Sequence, residues 1–334
     1  MDISSIADSL LKFSVPERLR QRLTQRPAPA EASAELYALS RQLEADDLRV
    51  FAAACAEGVA ACEGVAENPV AEAEALLRSA RLHLQEEIET YRMCLPTLWD
   101  SLYYAIDAIS KATDIFEQIG VTHLAVTALM ELAKAMSTLA RPHDAVQTYQ
   151  KALDLNKAHN GTRERLVILR DLAEAHIQAG GLVEALTTYE EIVIVSGLLK
   201  LGPAKAIGWY RELARQCEIR QVLLLLIVEA SPGRLSPYHA QMLAVYRSAT
   251  FGSVSSTSTS ATKKDDDGGA GPGSFVSFLP PMELLHLKDF VLAVTGKDLR
   301  RTIAASERLV EHLDATETAF LDYLVDLCPH PSGN

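Results

Sequence analysis

Two stretches of this chain repeat one another at an offset of 40 residues, and that repeat constrains the architecture more than any other feature. Leu172, Ala173, His176, Gly180, Ala185, Tyr189 and Ile192 recur position for position as Leu132, Ala133, Met136, Ala140, Ala145, Tyr149 and Ala152. Within each half the residues recur at intervals of three and four, the period of an amphipathic helix, and Gly180 or Ala140 marks the turn between halves. Each unit is therefore a helical hairpin. A single hairpin cannot bury its own apolar face, so successive copies must stack on one another. Small residues are required where two helices cross closely, which assigns Ala133 against Ala145 and Ala173 against Ala185 as crossing points.

The pattern is that of a tetratricopeptide-like pair, with a period longer than the usual 34 residues. The fold class expected is all-α, a TPR-like helical-hairpin solenoid. A weaker copy runs through Ala61, Gly64, Asn68, Ala73, Leu77 and Ala80, with helices near 47–67 and 70–92. Between it and the clear repeats, 99–119 forms a further helix, with Leu102, Ile106, Ile109 and Phe116 on one face, and pairs with 121–140. Asn68-Pro69, Pro96, Gly120, Arg141-Pro142, Asn160-Gly161 and Gly180-Gly181 punctuate these segments where helices end. Helices at 204–229 and 236–249 follow, the second opening on Ser-Pro as an N-cap. Residues 250–280 are rich in Ser, Thr and Gly and lack the apolar side chains that offset ordering entropy, so they read as a disordered loop. Helices near 282–295, 297–313 and 316–327 complete the chain. The expected organisation is a solenoid over 1–249, the loop at 250–280 and a C-terminal helical group over 281–334.

Composition agrees with this fold and excludes several functions. Hydrophobic residues make up 48% and aromatics only 6%, which favours close helix packing over sheets. The net charge of −12 opposes a phosphate backbone or an anionic membrane, so neither nucleic acid nor direct membrane insertion is expected. The longest apolar run, 222–228, is far short of the roughly 20 residues that span a bilayer. With no signal peptide recognised, the five scattered cysteines read as reduced thiols in the cytoplasm.

No constellation carries chemistry. Cys328-Pro329-His330 has no second Cys/His pair at zinc spacing, and the glycines of 268–273 neither follow a strand nor open a helix. Glu86, Glu87 and Glu89 read as a solvated helix face, His176 as a packed core histidine, and His83, His123 and His143 as isolated. The chain is expected to be no enzyme and to need no cofactor or metal. More informative is the run from Gln221 to Ala230, whose consecutive large aliphatics cover a helix all round. Its neighbours in the fold bury such a helix on every side, or a partner covers one side.

The segments at 78–87 (RSARLHLQEE) and 217–243 (CEIRQVLLLLIVEASPGRLSPYHAQML) resemble the forty-kilodalton huntingtin-associated protein family. The order of elements is similar across nearly the whole chain. In that family a long proline-rich insertion precedes the poly-leucine helix; here that connection is short and the Ser/Thr/Gly segment follows it. The resemblance implies a stable 1:1 complex with huntingtin, a HEAT-repeat scaffold, and adaptor work with an early-endosomal Rab GTPase. It implies a cytoplasmic protein associated with early endosomes, with the nucleus a further location. The elongated hairpins are more distantly similar to soluble NSF attachment proteins, which bind SNARE bundles and an ATPase. Partner contacts are expected at Leu223, Leu224, Leu226 and Ile227 of the poly-leucine helix, and at Phe320, Tyr323, Leu324 and Leu327 of the last helix.

Overall fold

A computed structural model describes residues 28–157, 162–197, 207–228, 235–248 and 277–328. These residues hold thirteen α-helices and no strand. They fall into two compact units, divided between Ala179 and Gly180. Residues 250–276 of the segment 250–280 expected to be disordered lie outside the described residues, as does His330.

The first unit contains α1 (Pro29–Ala45), α2 (Arg49–Val65), α3 (Pro69–Arg92), α4 (Asp100–Gln118), α5 (Thr122–Thr138), α6 (Pro142–Asn156) and α7 (Thr162–Gln178). Each helix packs on the next. In addition α3 touches α5 and α5 touches α7, so these alternate helices form one layer, with α4 and α6 behind them. One turn design generates most of the stack. Asp47, Glu67, Gly120 and Ala140 each adopt a left-handed backbone just past a helix end. In each case the following amide bonds back five residues, as from Leu48 to the Leu43 carbonyl and from Arg141 to Met136. This satisfies carbonyls that the helix end leaves unpaired and reverses the chain. Pro69 and Pro142 then open the next helix, where a missing N–H costs nothing.

The paired alanines behave as their spacing requires. Ala133 and Ala145 have no exposed surface where α5 and α6 pack, and Tyr149 and Met136 fill the space around them. In the weaker copy Ala73, Leu77 and Ala80 are buried, while in its first helix the buried alanine is Ala60 and Ala61 is exposed. The second clear repeat is divided by the unit boundary. Ala173 is fully buried in the first unit and Ala185 in the second.

The second unit contains α8 (Leu182–Val195), α9 (Trp209–Val228), α10 (Pro237–Arg247), α11 (Pro281–Thr295), α12 (Leu299–Val310) and α13 (Ala315–Leu327). Its axis is α9, which packs against α8, α10 and α13. Ser236 caps α10 by accepting from the His239 amide, and a reciprocal Asp314–Glu317 capping box starts α13.

Candidate partner-binding surfaces

The residues expected to meet a partner separate into two groups. Leu223 and Leu224 have no exposed surface and Leu226 is buried, while Ile227 is half-buried at the end of α9. The expectation that this helix offers apolar anchors is corrected for the three leucines: α8, α10 and α13 enclose the all-round aliphatic surface within the chain's own core. On α13, Leu324 is buried with Leu321 and Cys328 on the inner face. Phe320 is half-buried, whereas Tyr323 and Leu327 are both more than half exposed. Residues 320, 323 and 327 follow the three-and-four spacing of a single stripe, so this face of α13 remains available.

Sequence reasoning missed a row of polar groups buried along α9. Glu218, only 2% exposed, accepts hydrogen bonds from the Tyr246 hydroxyl of α10 and from the backbone N–H of Phe278 at 2.7 Å. Burial pushes its carboxyl up to about 7 even though these donors favour the charged form. Arg220 donates to the Tyr189 hydroxyl of α8 at 3.2 Å and to Asp314 at 2.7 Å, and faces the fully buried Glu317 at 3.5 Å. Arg215 bonds Glu283 of α11 at 2.6 Å and the His312 carbonyl. Gln221 meets His239 at 3.5 Å, and burial lowers the His239 pKa. These groups fasten α9 to its neighbours and are occupied in doing so. The signal was the sequence Cys-Glu-Ile-Arg-Gln running directly into poly-leucine, polar residues on a helix that must be buried.

Other polar expectations also change. Glu87 is buried, not solvated, and accepts from the Thr97 hydroxyl in the connection after α3. His83 is buried against Glu57 at 3.8 Å and stacks on Tyr104, so it is not isolated. His176 is half-buried at the end of α7 rather than packed in the core. Among the described residues no three His, Cys, Asp or Glu side chains converge as a metal site.

The first unit carries two long grooves. One, of about 850 Å³, lies along α1 and α3 and reaches Leu124 of α5. Its arginines are engaged: Arg78 lies 5.0 Å above the Tyr37 ring and pairs with Glu44, and Arg81 forks onto Glu131 at 2.8 and 2.9 Å. The second, of about 620 Å³, runs between α4 and α6 with Leu129, Leu132 and Met136 of α5 as its floor. Its rim carries Asp114, Glu117, Asp144 and Asp154 against Arg141 and Lys151. Apolar floors edged by charge suit another protein better than a small polar substrate.

A third feature had no counterpart in the sequence reading. The connection between α3 and α4 exposes Met93, Leu95 and Leu98, and Tyr91 and Tyr103 extend the same exposure onto the flanking helices.

Comparison with known proteins agrees with this architecture. Residues 41–201 match the soluble NSF attachment protein family, SNAP. The whole chain is similar to the 40-kDa huntingtin-associated protein of Rattus norvegicus, 24% identical over 379 aligned positions that cover 99% of this chain and 95% of that one. The protein of the same name from Mus musculus is also 24% identical, over 380 positions with the same coverage.

Proposed function

We propose that this chain is a non-catalytic binding subunit that forms a stable 1:1 complex with huntingtin, a HEAT-repeat scaffold, stabilises it, and acts as an adaptor in early-endosome traffic. The supporting observation is similarity along the whole chain to proteins named for their association with huntingtin. Physical features fit such a role. The stacked hairpins of the first unit provide broad helix faces and apolar-floored grooves, and α13 leaves an apolar stripe uncovered. A permanent complex buries upwards of roughly 2,000 Å², which extended helix layers can supply and a single pocket cannot. The charge of −12 favours basic stretches on the scaffold, guiding register more than setting affinity. An early-endosomal Rab GTPase is the second partner under this proposal, and the complex works in the cytoplasm and at early endosomes, with the nucleus as a further location. No helix among the described residues is long and apolar enough to cross a membrane.

The test is affinity purification of the full chain from its own cells, with mass spectrometry of whatever co-elutes stoichiometrically. Huntingtin at one copy per chain is the expected result. The match of residues 41–201 to soluble NSF attachment proteins supports a second reading, an adaptor for SNARE bundles and their ATPase. Recovery of SNAREs with a hexameric ATPase, and no huntingtin, would replace the first reading with the second.

A further inference from the structure

The groove along α1 and α3 is set apart from the rest of the first unit by its walls and its charge. Farther along the stack alternate helices touch, α3 on α5 and α5 on α7. Between α1 and α3, by contrast, the space is a groove of about 850 Å³, spanned by Arg78, which reaches Tyr37 and Glu44 of α1. Ala30 and Ala34 of α1 and Ala71 and Ala75 of α3 line it, and small residues at such positions let another helix come close. Tyr37 and Leu124, also in its lining, are exposed.

Charge around this groove is one-sided. Residues 29–92, which hold α1, α2 and α3, carry thirteen carboxylates against five arginines and no lysine, a net −8. Three of those arginines are already engaged: Arg49 with Asp47 and Glu86, Arg78 with Glu44, and Arg81 with Glu131. In the groove itself, Glu63 accepts from the neutral Ser33 and Asn68, and Glu74 is exposed. Ser33 lies near the start of α1, so these two carboxylates mark the end of the groove where the chain enters that helix.

The segment that enters there is suited to the groove. Residues 1–27 lie outside the described residues and join α1 through Ala28. Ala28 is extended, at φ −54° and ψ 136°, with Pro27 before it and Pro29 opening α1, so the preceding chain meets α1 at a bend and does not prolong it. Residues 12–26 hold Lys12, Arg18, Arg20, Arg22 and Arg26 against Glu17 alone, a net +4, the most basic stretch of its length in the chain. Farther from the bend, Ile3, Ile6, Leu10 and Phe13 fall at three-and-four intervals, the spacing of one helix face. The 17 residues of α1 span about 26 Å, a distance that 1–27 can retrace with chain left for the bend.

We propose that the chain's own residues 1–27 turn back at Ala28 and fill the α1–α3 groove, their arginines against Glu63 and Glu74 and the Ile3, Ile6, Leu10 and Phe13 face against Tyr37 and Leu124. The tether holds the segment at an effective concentration on the order of millimolar, so modest affinity suffices, whereas a second copy offers the same segment only at its solution concentration. This inference stands apart from the huntingtin reading, and it leaves the α4–α6 groove and the α13 stripe to an outside partner.

The experiment places a photo-crosslinking benzoylphenylalanine at position 10 of the full chain in cells, and the crosslinked peptide is sequenced. The expected adduct has the mass of one chain and joins position 10 to groove residues of α1, α3 or α5. An adduct of two chains, an adduct elsewhere in the same chain, or no adduct would overturn the docking. An adduct to huntingtin would also overturn it while supporting the proposed function, and a within-chain adduct leaves that function to its own test. In the same probe-bearing chain, Arg18→Glu/Arg22→Glu/Arg26→Glu is expected to lower the within-chain yield at least about fivefold, because like charge then faces Glu63 and Glu74. Undiminished yield would count against the docking as drawn.

Discussion

At the scale of single residues, the turn after each helix is where sequence and conformation disagree most usefully. Gly180 and Ala140 occupy the same place in the two repeats, and both backbones are left-handed, at φ of 80° and 55°. Glycine adopts this conformation freely, whereas alanine bears a penalty of about 1–2 kcal/mol from its Cβ. Ala140→Gly is therefore expected to stabilise the first unit by roughly 0.5–1 kcal/mol, because unfolded-state entropy gained by glycine offsets part of the relief. Gly180→Ala is expected to destabilise by about 1 kcal/mol although a Cβ there meets nothing within 4 Å. Urea titration of both variants checks the pair; opposite signs at equivalent positions are the signature. Gly120 and Gly180 were readable as turns because glycine advertises the conformation. Asp47, Cys94 and Trp99 were not, since nothing in their identity signals a backbone that their surroundings impose.

At the scale of elements, α9 shows why the poly-leucine run was legible as buried but not in what holds it. Hydrophobicity gives the need for cover; it does not say that Glu218, Arg220 and Gln221 are buried on the same helix. Their partners come from α8, α10, α13 and the segment before α11, separations of 18 to 94 residues that local periodicity cannot reveal. Glu218 makes this testable by pH. Its carboxyl titrates near 7 in the folded chain against an ordinary 4.5. Between those values the unfolded chain has already lost the proton that the folded chain keeps, so stability falls as pH rises from 4.5 to 7 and is level above. At about 1.4 kcal/mol per unit, the loss approaches roughly 3 kcal/mol. Burial also raises the Glu317 pKa, with the same sign, so the difference between wild type and Glu218→Gln isolates the Glu218 contribution. That difference, measured by denaturation from pH 5 to 8, is expected to shift toward the variant with rising pH; a constant difference would show that the carboxyl titrates as an ordinary one. Arg220→Met attacks the other end of the row. Removing the guanidinium leaves Glu317 buried beside an exposed-edge Asp314 without its cation, and a loss of about 3–5 kcal/mol is expected from such a broken buried pair.

At the scale of the whole molecule, the eight residues chosen for partner binding sort by what each mutation destroys. The periodicity that identified helical hairpins says which residues face inward within a helix, and it placed Leu324 and Tyr323 on one helix without telling core from surface. That distinction is made only when α9 and α13 meet. Leu223→Ala removes a side chain with no exposed surface and is expected to cost about 2–5 kcal/mol of stability, with partner affinity falling only as far as the folded fraction falls. Tyr323→Ser/Leu327→Ser removes two side chains that are 51% and 56% exposed, so the thermal midpoint is expected to move little. If the α13 stripe meets the scaffold, that double variant weakens binding by tenfold or more, because aromatic and aliphatic anchors at a desolvated interface dominate its energy. Calorimetry on the isolated chain alongside titration with the purified scaffold separates the two classes: stability without specificity for Leu223, specificity without stability for Tyr323 and Leu327. Equal binding by the α13 variant would move the anchor to the first unit. A permanent partner also stabilises the chain by mass action, so the wild-type thermal midpoint should rise with scaffold concentration and keep rising beyond saturation as the logarithm of free scaffold. For the α13 variant that rise should be displaced to higher concentration by the same factor as its loss of affinity.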